Sequence, residues 1–239
     1  MTDFKVESLK PLCEDFGLTL SAEAADRLNT YGNLLLEKNK VMNLTAITEP
    51  EEVLYKHFFD CLLFFSAVDV PFCAKVIDVG TGAGFPGLVL KIARPDIDIT
   101  LLDSLGKRVN FLNEVLSSLS LDGKAIHLRA EEGGRKPELR EQFDISCARA
   151  VASLNVLAEY CVPYTKVGGL FVAMKGGETQ AEVSAGAGAL SKLGCGAPQI
   201  KPAKLPQGDK RSFIIAKKIS QTSTKYPRNS AKIAKAALT

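Results

Sequence analysis

The chain has 239 residues, 46% of them hydrophobic and 24% charged, with a net charge of +3. These values exclude a disordered or low-complexity chain and leave length for one sizeable core with an appendage. No apolar run approaches the roughly 18 residues of a membrane span, and the start Met-Thr-Asp-Phe-Lys-Val-Glu has no signal-peptide apolar region, so a cytoplasmic protein with no membrane partner is expected.

Three helical patterns come first. One covers about Phe4 to Phe16; a second starts at Ser21, a good N-cap, and carries Leu28, Tyr31, Leu34 and Leu35 at helical spacing. The third opens on Thr48-Glu49-Pro50-Glu51, read as a capping box with proline in the first turn, and runs through Val53, His57, Phe58, Cys61, Leu62 and Phe65. Residues 1–70 are therefore expected to form a helical cap, with no linker behind it. Between the second and third helices, Asn39-Lys40-Val41-Met42-Asn43-Leu44-Thr45 can hydrogen-bond a base or a phosphate, although asparagine also caps and turns chains, and the residues alone favour the turn. His57 and Asp60, at i and i+3, share a helix face, where a satisfied, partly buried histidine is the simpler reading.

Val76 to Gly87, Val-Ile-Asp-Val-Gly-Thr-Gly-Ala-Gly-Phe-Pro-Gly, reads as strand, glycine loop and helix start. Without a Cβ at Gly80, Gly82, Gly84 and Gly87, backbone amides can lie against a ligand, the pattern of a nucleotide-cofactor site. From Gly82 onward the loop also satisfies the dinucleotide fingerprint G-x-G-x-x-G. Two features favour S-adenosylmethionine over a dinucleotide: Asp78 inside the strand, placed to brace loop amides or approach a cationic cofactor, and glycines that begin directly off the strand at Gly80.

From Lys75 on, strands and helices alternate, which predicts a parallel sheet covered on both faces. The second strand is Asp98 to Asp103, with a helix from Ser104 to about Leu119. Asp103, 23 residues after Gly80, sits where a carboxylate can accept ribose hydroxyls; a helix N-cap is the plainer role, and Ser104 can fill it equally. Ala125 to Arg129 is the third strand, leading to Ala130-Glu131 on the carboxyl edge. Phe143 to Arg149 is the fourth, unusually polar because of Asp144 and Ser146. Its carboxyl end adjoins the first strand at the switch point, so polar residues there are expected to face the ligand crevice, Arg149 among them. Gly169 to Lys175 is the fifth, followed by a helix from about Glu178 to Leu193 weakened by Gly186 and Gly188. Gln199 to Leu205 and Arg211 to Lys217 complete an antiparallel edge.

Residues 201–239 hold ten Lys or Arg and one acid, Asp209, a net +9 that leaves −6 for residues 1–200. A basic arm on a mildly acidic body suits a phosphate backbone, and a solvated lysine-rich tail suits the same charges. Residues 220–239 show no apolar period and are expected to be mobile without a partner. Cys13, Cys61, Cys73, Cys147, Cys161 and Cys195 form no C-x-x-C pair, which predicts reduced, mostly buried thiols, no metal site and no disulfide framework.

Over nearly its whole length the chain resembles the RsmG (GidB) family of bacterial small-subunit ribosomal RNA guanine-N7 methyltransferases. The resemblance rests on the order and spacing of Asn39-Lys40 with Asn43-Leu44-Thr45, His57 with Asp60, Val76 to Gly87, Leu101-Leu102-Asp103-Ser104 with Lys107-Arg108-Val109, Arg149-Ala150 with Ala152-Ser153-Leu154, Lys175-Gly176, and Lys225-Tyr226-Pro227-Arg228. It implies an α/β class I S-adenosylmethionine-dependent methyltransferase fold, a Rossmann-like seven-stranded mixed sheet with helices on both faces and an N-terminal helical cap. The division is then 1–70 cap, 71–219 methyltransferase domain and 220–239 basic tail. The chain departs from the family at Ala148, where serine is common, and at Ala231, Ile233 and Ala237, where a glycine and prolines are common. The second departure puts the tail's conformation and RNA contact in question.

With the resemblance, the expected cofactor is S-adenosyl-L-methionine and the expected partner is 16S rRNA or the small ribosomal subunit, met by a monomer. Cofactor contacts are expected from Asp78, Gly80, Gly82, Gly84, Phe85, Asp103, Ser104, Ala130, Glu131 and Arg149. RNA contacts are expected from Asn39, Lys40, Asn43, His57, Lys107, Arg108, Lys225 and Arg228, with the resemblance also raising Asp60. Arg149 and Lys175 are expected to act by positioning, with no general base, because guanine N7 carries its lone pair at neutral pH. Two other readings stay open: a dinucleotide-dependent oxidoreductase, and an RNA-binding protein that keeps the fold without catalysis.

Overall fold

A computed structural model describes residues 2–149 and 152–239; Ala150, part of the Arg149-Ala150 motif, lies outside the described residues. The strands are β1 (Lys75–Val79), β2 (Asp98–Asp103), β3 (Lys124–His127), β4 (Phe143–Arg149), β5 (Thr165–Gly176), β6 (Gln199–Lys204) and β7 (Lys210–Lys217). They form one sheet in the order β3-β2-β1-β4-β5-β7-β6, parallel from β3 to β5 and antiparallel at β7. β2 and β4 run between the expected residues, whereas β5 starts at Thr165 rather than Gly169.

Successive strand residues point to opposite faces, and here both faces are covered. Val76, Ile99, Leu101, Ile145 and Val172 enter one apolar layer; Ile77, Val79, Leu102, Phe171 and Ala173 enter the other. The helices, in chain order, are α1 (Lys10–Glu14), α2 (Ala22–Met42), α3 (Pro50–Val53), α4 (Asp60–Leu62), α5 (Phe64–Ala67), α6 (Gly87–Ala93), α7 (Gly106–Ser118), α8 (Ala130–Gly133), α9 (Leu154–Cys161), α10 (Gln180–Lys192) and α11 (Ser230–Lys235). A π-helical turn over Leu54–Phe59 joins α3 to α4. The N-terminal helices share their core with α6, α7 and the first face of the sheet, while α9, α10 and the C-terminal segment cover the second. None of the described helices is long and apolar enough to cross a membrane. All six cysteines are free, and five are buried.

Several local expectations meet a different outcome. Ser21 Oγ accepts from the Ala24 amide, as an N-cap should, but the cap of α3 is Glu49 and no side chain closes it, so Thr48-Glu49-Pro50-Glu51 is not a capping box here. Asp144 and Ser146 do not face the ligand crevice. Asp144, near the amino end of β4, accepts from the Lys75 amide and pairs with Lys166, and Ser146 shares a hydrogen bond with Thr165. The glycines of α10 are packing devices: a Cβ at Gly186 would lie 2.8 Å from the Leu154 side chain, so the close approach of α10 to α9 needs glycine there. The C-terminal segment is not a free tail. Arg140 donates to the Gly134, Thr222, Ser223 and Tyr226 carbonyls, and Arg228 pairs with the buried Glu159. Where the family has glycine and prolines, Ala231 and Ile233 permit α11, and Ile233 is fully buried.

The glycine loop is pinned from α2. Tyr31 is fully buried, its ring lies 5.5 Å from that of Phe85, and its hydroxyl donates to the Ala83 carbonyl at 2.6 Å. Gly84 has φ +110°, and a Cβ there would come within 2.9 Å of the Tyr31 hydroxyl, so both conformation and space demand glycine. Tyr31→Phe, which leaves the Ala83 carbonyl without its donor, is expected to cost about 2 kcal/mol in urea unfolding with an unchanged m-value.

Candidate active site

Two cavities open at the carboxyl edge of the parallel strands, where the order reverses between β1 and β4 and ligands of such sheets bind. The first, about 260 Å³, is lined by Gly80 from the loop, Asp103 at the end of β2, Ser104 and Arg108 beyond it, Ala130 and Glu131 of α8, and Leu157, Tyr160 and Ser230 from α9 and α11. Two carboxylates shape it. Asp78 is fully buried in β1; its Oδ2 accepts from the Thr81 hydroxyl at 2.6 Å and the Gly87 amide at 2.8 Å, which fixes both ends of the loop. Its Oδ1 has no hydrogen-bond partner among the described residues, and burial pushes the carboxyl up to about 6. Asp103 accepts from the Gly82 amide at 2.9 Å through Oδ2 and from the Leu105 amide through Oδ1, with Arg108 3.5 Å away.

The second cavity, about 360 Å³, is lined by Ile47, Lys56, His57, Asp60, Arg149, Met174, Lys175, Arg211 and Phe213 among others. Asp60, whose side chain is 6% exposed, holds two arginines: Arg149 Nη1 at 3.0 Å on Oδ2 and Arg211 Nε at 2.6 Å on Oδ1. Arg149 also donates to the Lys56 carbonyl at 3.2 Å, its Nη2 approaches His57 Nδ1, and its guanidinium lies 4.7 Å from the centre of the Phe85 ring. The π-turn breaks the regular helical ladder at this place, a feature found often at functional sites. His57 stacks on Phe85 with ring centroids 4.4 Å apart, and its Nε2 lies 2.7 Å from the Thr45 hydroxyl. His57 Nδ1 lies 3.2 Å from Arg149 Nη2, which can only donate, and 3.2 Å from the Lys56 carbonyl, which can only accept, so either tautomer satisfies one of these two contacts and not the other. Asn39 completes the chain of bonds: its amide exchanges two hydrogen bonds with the Thr45 backbone, both at 2.9 Å.

The expected residues thus separate by location. Gly80, Asp103, Ser104, Ala130 and Glu131 meet at the first cavity, whereas Phe85 and Arg149, expected beside them, belong to the second cluster. Arg108, expected on RNA, lines the first cavity beside Asp103. Asn39 is half-buried and bonded to the Thr45 backbone, His57 lines the second cavity while bonded to Thr45 and Arg149, and Arg228 is committed to Glu159 through its Nε, Nη2 and backbone amide. Lys40, Asn43, Lys107 and Lys225 are exposed. Lys175 lines the second cavity, but its ammonium pairs with Glu182 at 2.8 Å and donates to the Ala152 carbonyl. Sequence reasoning missed Tyr31, Tyr160, Arg211 and Ser230 as site residues; each reaches its site through tertiary contact, and the helical spacing of Tyr31 marks only a core face.

A β3-β2-β1-β4-β5-β7-β6 sheet with antiparallel β7, a glycine loop after β1 and a carboxylate at the end of β2 defines a class I S-adenosylmethionine-dependent methyltransferase. The fold is shared by an S-adenosylmethionine-dependent O-methyltransferase from Thermotoga maritima (TM-score 0.51, 15% identity, 79% of this chain and 72% of that one). It is shared too by a mutant of the 16S rRNA (adenine(1408)-N(1))-methyltransferase from Catenulisporales acidiphilia (TM-score 0.51, 15% identity, 65% and 87%). The sequence model of the GidB family, described as rRNA small subunit methyltransferase G, matches residues 24–211. The chain is 50% identical over 226 residues to the ribosomal RNA small subunit methyltransferase G of Acetivibrio thermocellus (94% of this chain, 93% of that protein), and 46% identical over 230 residues to that of Desulforamulus reducens (95% of each). The chain belongs to this methyltransferase family, which sets the oxidoreductase reading aside. The first cavity fits the family's cofactor: it offers the Asp103 and Glu131 carboxylates, the Cβ-free surface of Gly80 and a flat Tyr160 ring to an adenosine, and behind the loop a buried Asp78 oxygen has no partner among the described residues.

Burial, and then the Arg149 charge, push the His57 imidazole down to about 3 from an ordinary 6.5. The unfolded chain therefore takes up this proton first, so the contribution of His57 to stability is complete above about pH 6.5 and is lost as pH falls toward 3. Asp78 has the opposite sign: with its carboxyl raised to about 6, its contribution is complete below about pH 3.9 and is lost as pH rises through 6. Comparing wild type with His57→Gln removes the Asp78 effect. The stability advantage of wild type is expected to shrink by about 1 kcal/mol per pH unit between roughly pH 6.5 and 4.5; a pH-independent difference in urea unfolding would show that the native ring is already charged.

Proposed function

We propose that this protein transfers a methyl group from S-adenosyl-L-methionine to N7 of a guanine in the 16S rRNA of the small ribosomal subunit, acting as a cytoplasmic monomer. One observation carries the reading. A carboxylate cavity suited to a ribose and an arginine cavity suited to a base oxygen or a phosphate flank the same glycine loop. When bound, S-adenosyl-L-methionine supplies a methyl group on a cationic sulfur.

The residues divide the work. Asp103 and Glu131, beside Gly80, hold the nucleoside side, and Asp78 keeps the loop in shape. On the other side, Arg149 and Arg211 can donate to guanine O6 or to a flanking phosphate while Asp60 holds both in place. Guanine N7 needs no deprotonation, and a neutral His57 has no such task; it contacts Arg149 and fixes the guanidinium. Alignment is then the main lever, worth up to roughly 7–11 kcal/mol where reacting groups are near ideal placement. Lys175, held by Glu182, orders the start of α10 against β5. N7 of a stacked base in A-form RNA faces a deep, narrow groove, so the target guanine is expected in a loop or splayed out, with Lys40, Asn43, Lys107 and Lys225 available to the backbone.

Transfer of labelled methyl to intact small subunits and to naked 16S rRNA, with nucleoside analysis, tests the reaction: label should appear as 7-methylguanosine. Absence of label from a protein that binds the cofactor would leave an RNA-binding protein without catalysis. Arg211→Ala is expected to lower kcat/KM for RNA by about 100-fold and to leave the cofactor KM unchanged, whereas Asp103→Ala should raise the cofactor KM by about tenfold or more. The reverse pattern would exchange the roles of the two cavities.

A further inference from the structure

The C-terminal segment, read from its charge as an RNA arm, follows a different course. After Thr222, whose amide donates to Glu141 and whose hydroxyl donates to the Leu193 carbonyl, the chain crosses the end of α9 to reach the cofactor cavity. Five backbone carbonyls along this path receive guanidinium donors: Thr222, Ser223 and Tyr226 from Arg140, Thr224 and Lys225 from Arg135. Tyr226, Ile233 and Leu238 are buried. Such a seat is too specific for a tail that acts only when RNA arrives. Its end is also specific: Ser230, the first residue of α11, lines the same cavity as Asp103 and Glu131.

The strongest tie is Arg228 on Glu159. The Glu159 carboxylate is fully buried, and the Arg228 amide, Nε and Nη2 reach it at 2.6–3.1 Å. A buried carboxylate is tolerated only with such a partner. Glu159 sits on α9 next to Tyr160 and two residues after Leu157, both of which line the cavity. One ion pair therefore sets the strap and the α9 wall relative to each other, two residues from Ser230 on one side and one residue from Tyr160 on the other.

We propose that the C-terminal strap is a wall of the cofactor site: Ser230 and Tyr160 face the bound S-adenosyl-L-methionine, and Arg228, acting through Glu159, is a positioning residue for that wall. The proposal rests on the assignment of the first cavity to the cofactor. It gives a conformational reason for Arg228, which is spent on an internal acid.

The test uses full-length protein, calorimetric titration with S-adenosylhomocysteine and scanning calorimetry of the same samples. Ser230→Trp, which puts bulk into the cavity from a half-exposed position, is expected to raise Kd by about tenfold or more with an unchanged Tm; wild-type affinity in this variant overturns the proposal. Arg228→Ala should lower both Tm and affinity, because Glu159 loses its partner. Adding Glu159→Gln removes the stranded charge and should recover Tm without recovering affinity. If affinity returns together with Tm, the pair is a stability element only and the positioning role is overturned. Failure of the wild-type protein to bind S-adenosylhomocysteine would overturn the cofactor assignment itself, and the wall with it.

Discussion

A guanidinium that is 15% exposed must be answered where it sits, and the answer given to Arg149 organises the molecule. Arg149 ends β4 at the point where the sheet order reverses, so its partners have to come from other elements. They come from the π-turn and α4 (the Lys56 carbonyl, His57 and Asp60) and from the face of Phe85 in the glycine loop. Each contact binds the N-terminal helices to the catalytic edge of the sheet. Asp60 extends the tie to Arg211 at the start of β7, so three distant parts of the chain converge on one carboxylate. The helical region thereby becomes one side of the second cavity instead of a detachable cover.

The same economy of charge appears in the first cavity. Asp78 and Asp103 lie at the ends of adjacent strands, and each accepts loop amides, yet burial separates their duties. Asp78 is sealed behind the loop with a carboxyl raised to about 6, and it serves the shape of the loop. Asp103 stands at the cavity, where one oxygen meets Gly82 and Arg108 is near. A loop with several glycines has much conformational freedom to lose, and these two acceptors, together with the Tyr31 hydroxyl, select one of its conformations.

Charge on a sequence is not charge on a surface. The net +9 of the last 39 residues looks like an RNA arm, but Arg211 is bound to Asp60, Lys218 is fully buried against Glu141 and the Val162 and Thr165 carbonyls, and Arg228 is bound to Glu159. What remains for a polyanion is a set of exposed lysines, Lys201, Lys204, Lys210 and Lys217 on the edge strands, Lys210 of them paired with Glu178, and Lys225, Lys232 and Lys235 on the strap. In the same way Asp144 and Ser146 made β4 look too polar for a central strand, and both are satisfied by neighbours on adjoining segments, away from the crevice.

Local rules made much of the architecture legible. The period-two apolar runs, the N-cap at Ser21, the glycine loop off β1 and the carboxylate closing β2 depend on neighbours in the chain, and so they determine strands, helices, sheet type and a nucleotide-binding edge from residues alone. The family resemblance, which lies in order and spacing, extended this to reaction class. Only the tertiary structure decided which of the marked residues meet. Asp60 reaches Arg211 across 151 positions, Arg149 reaches His57 across 92, and Glu159 reaches Arg228 across 69. No periodicity encodes those separations; they follow from how a whole sheet, its crossovers and its covering helices pack. For that reason Lys175 and Arg228, conspicuous in the sequence, turn out to be internal ties, while Tyr31, Tyr160, Arg211 and Ser230 gain their positions only when the chain has closed on itself.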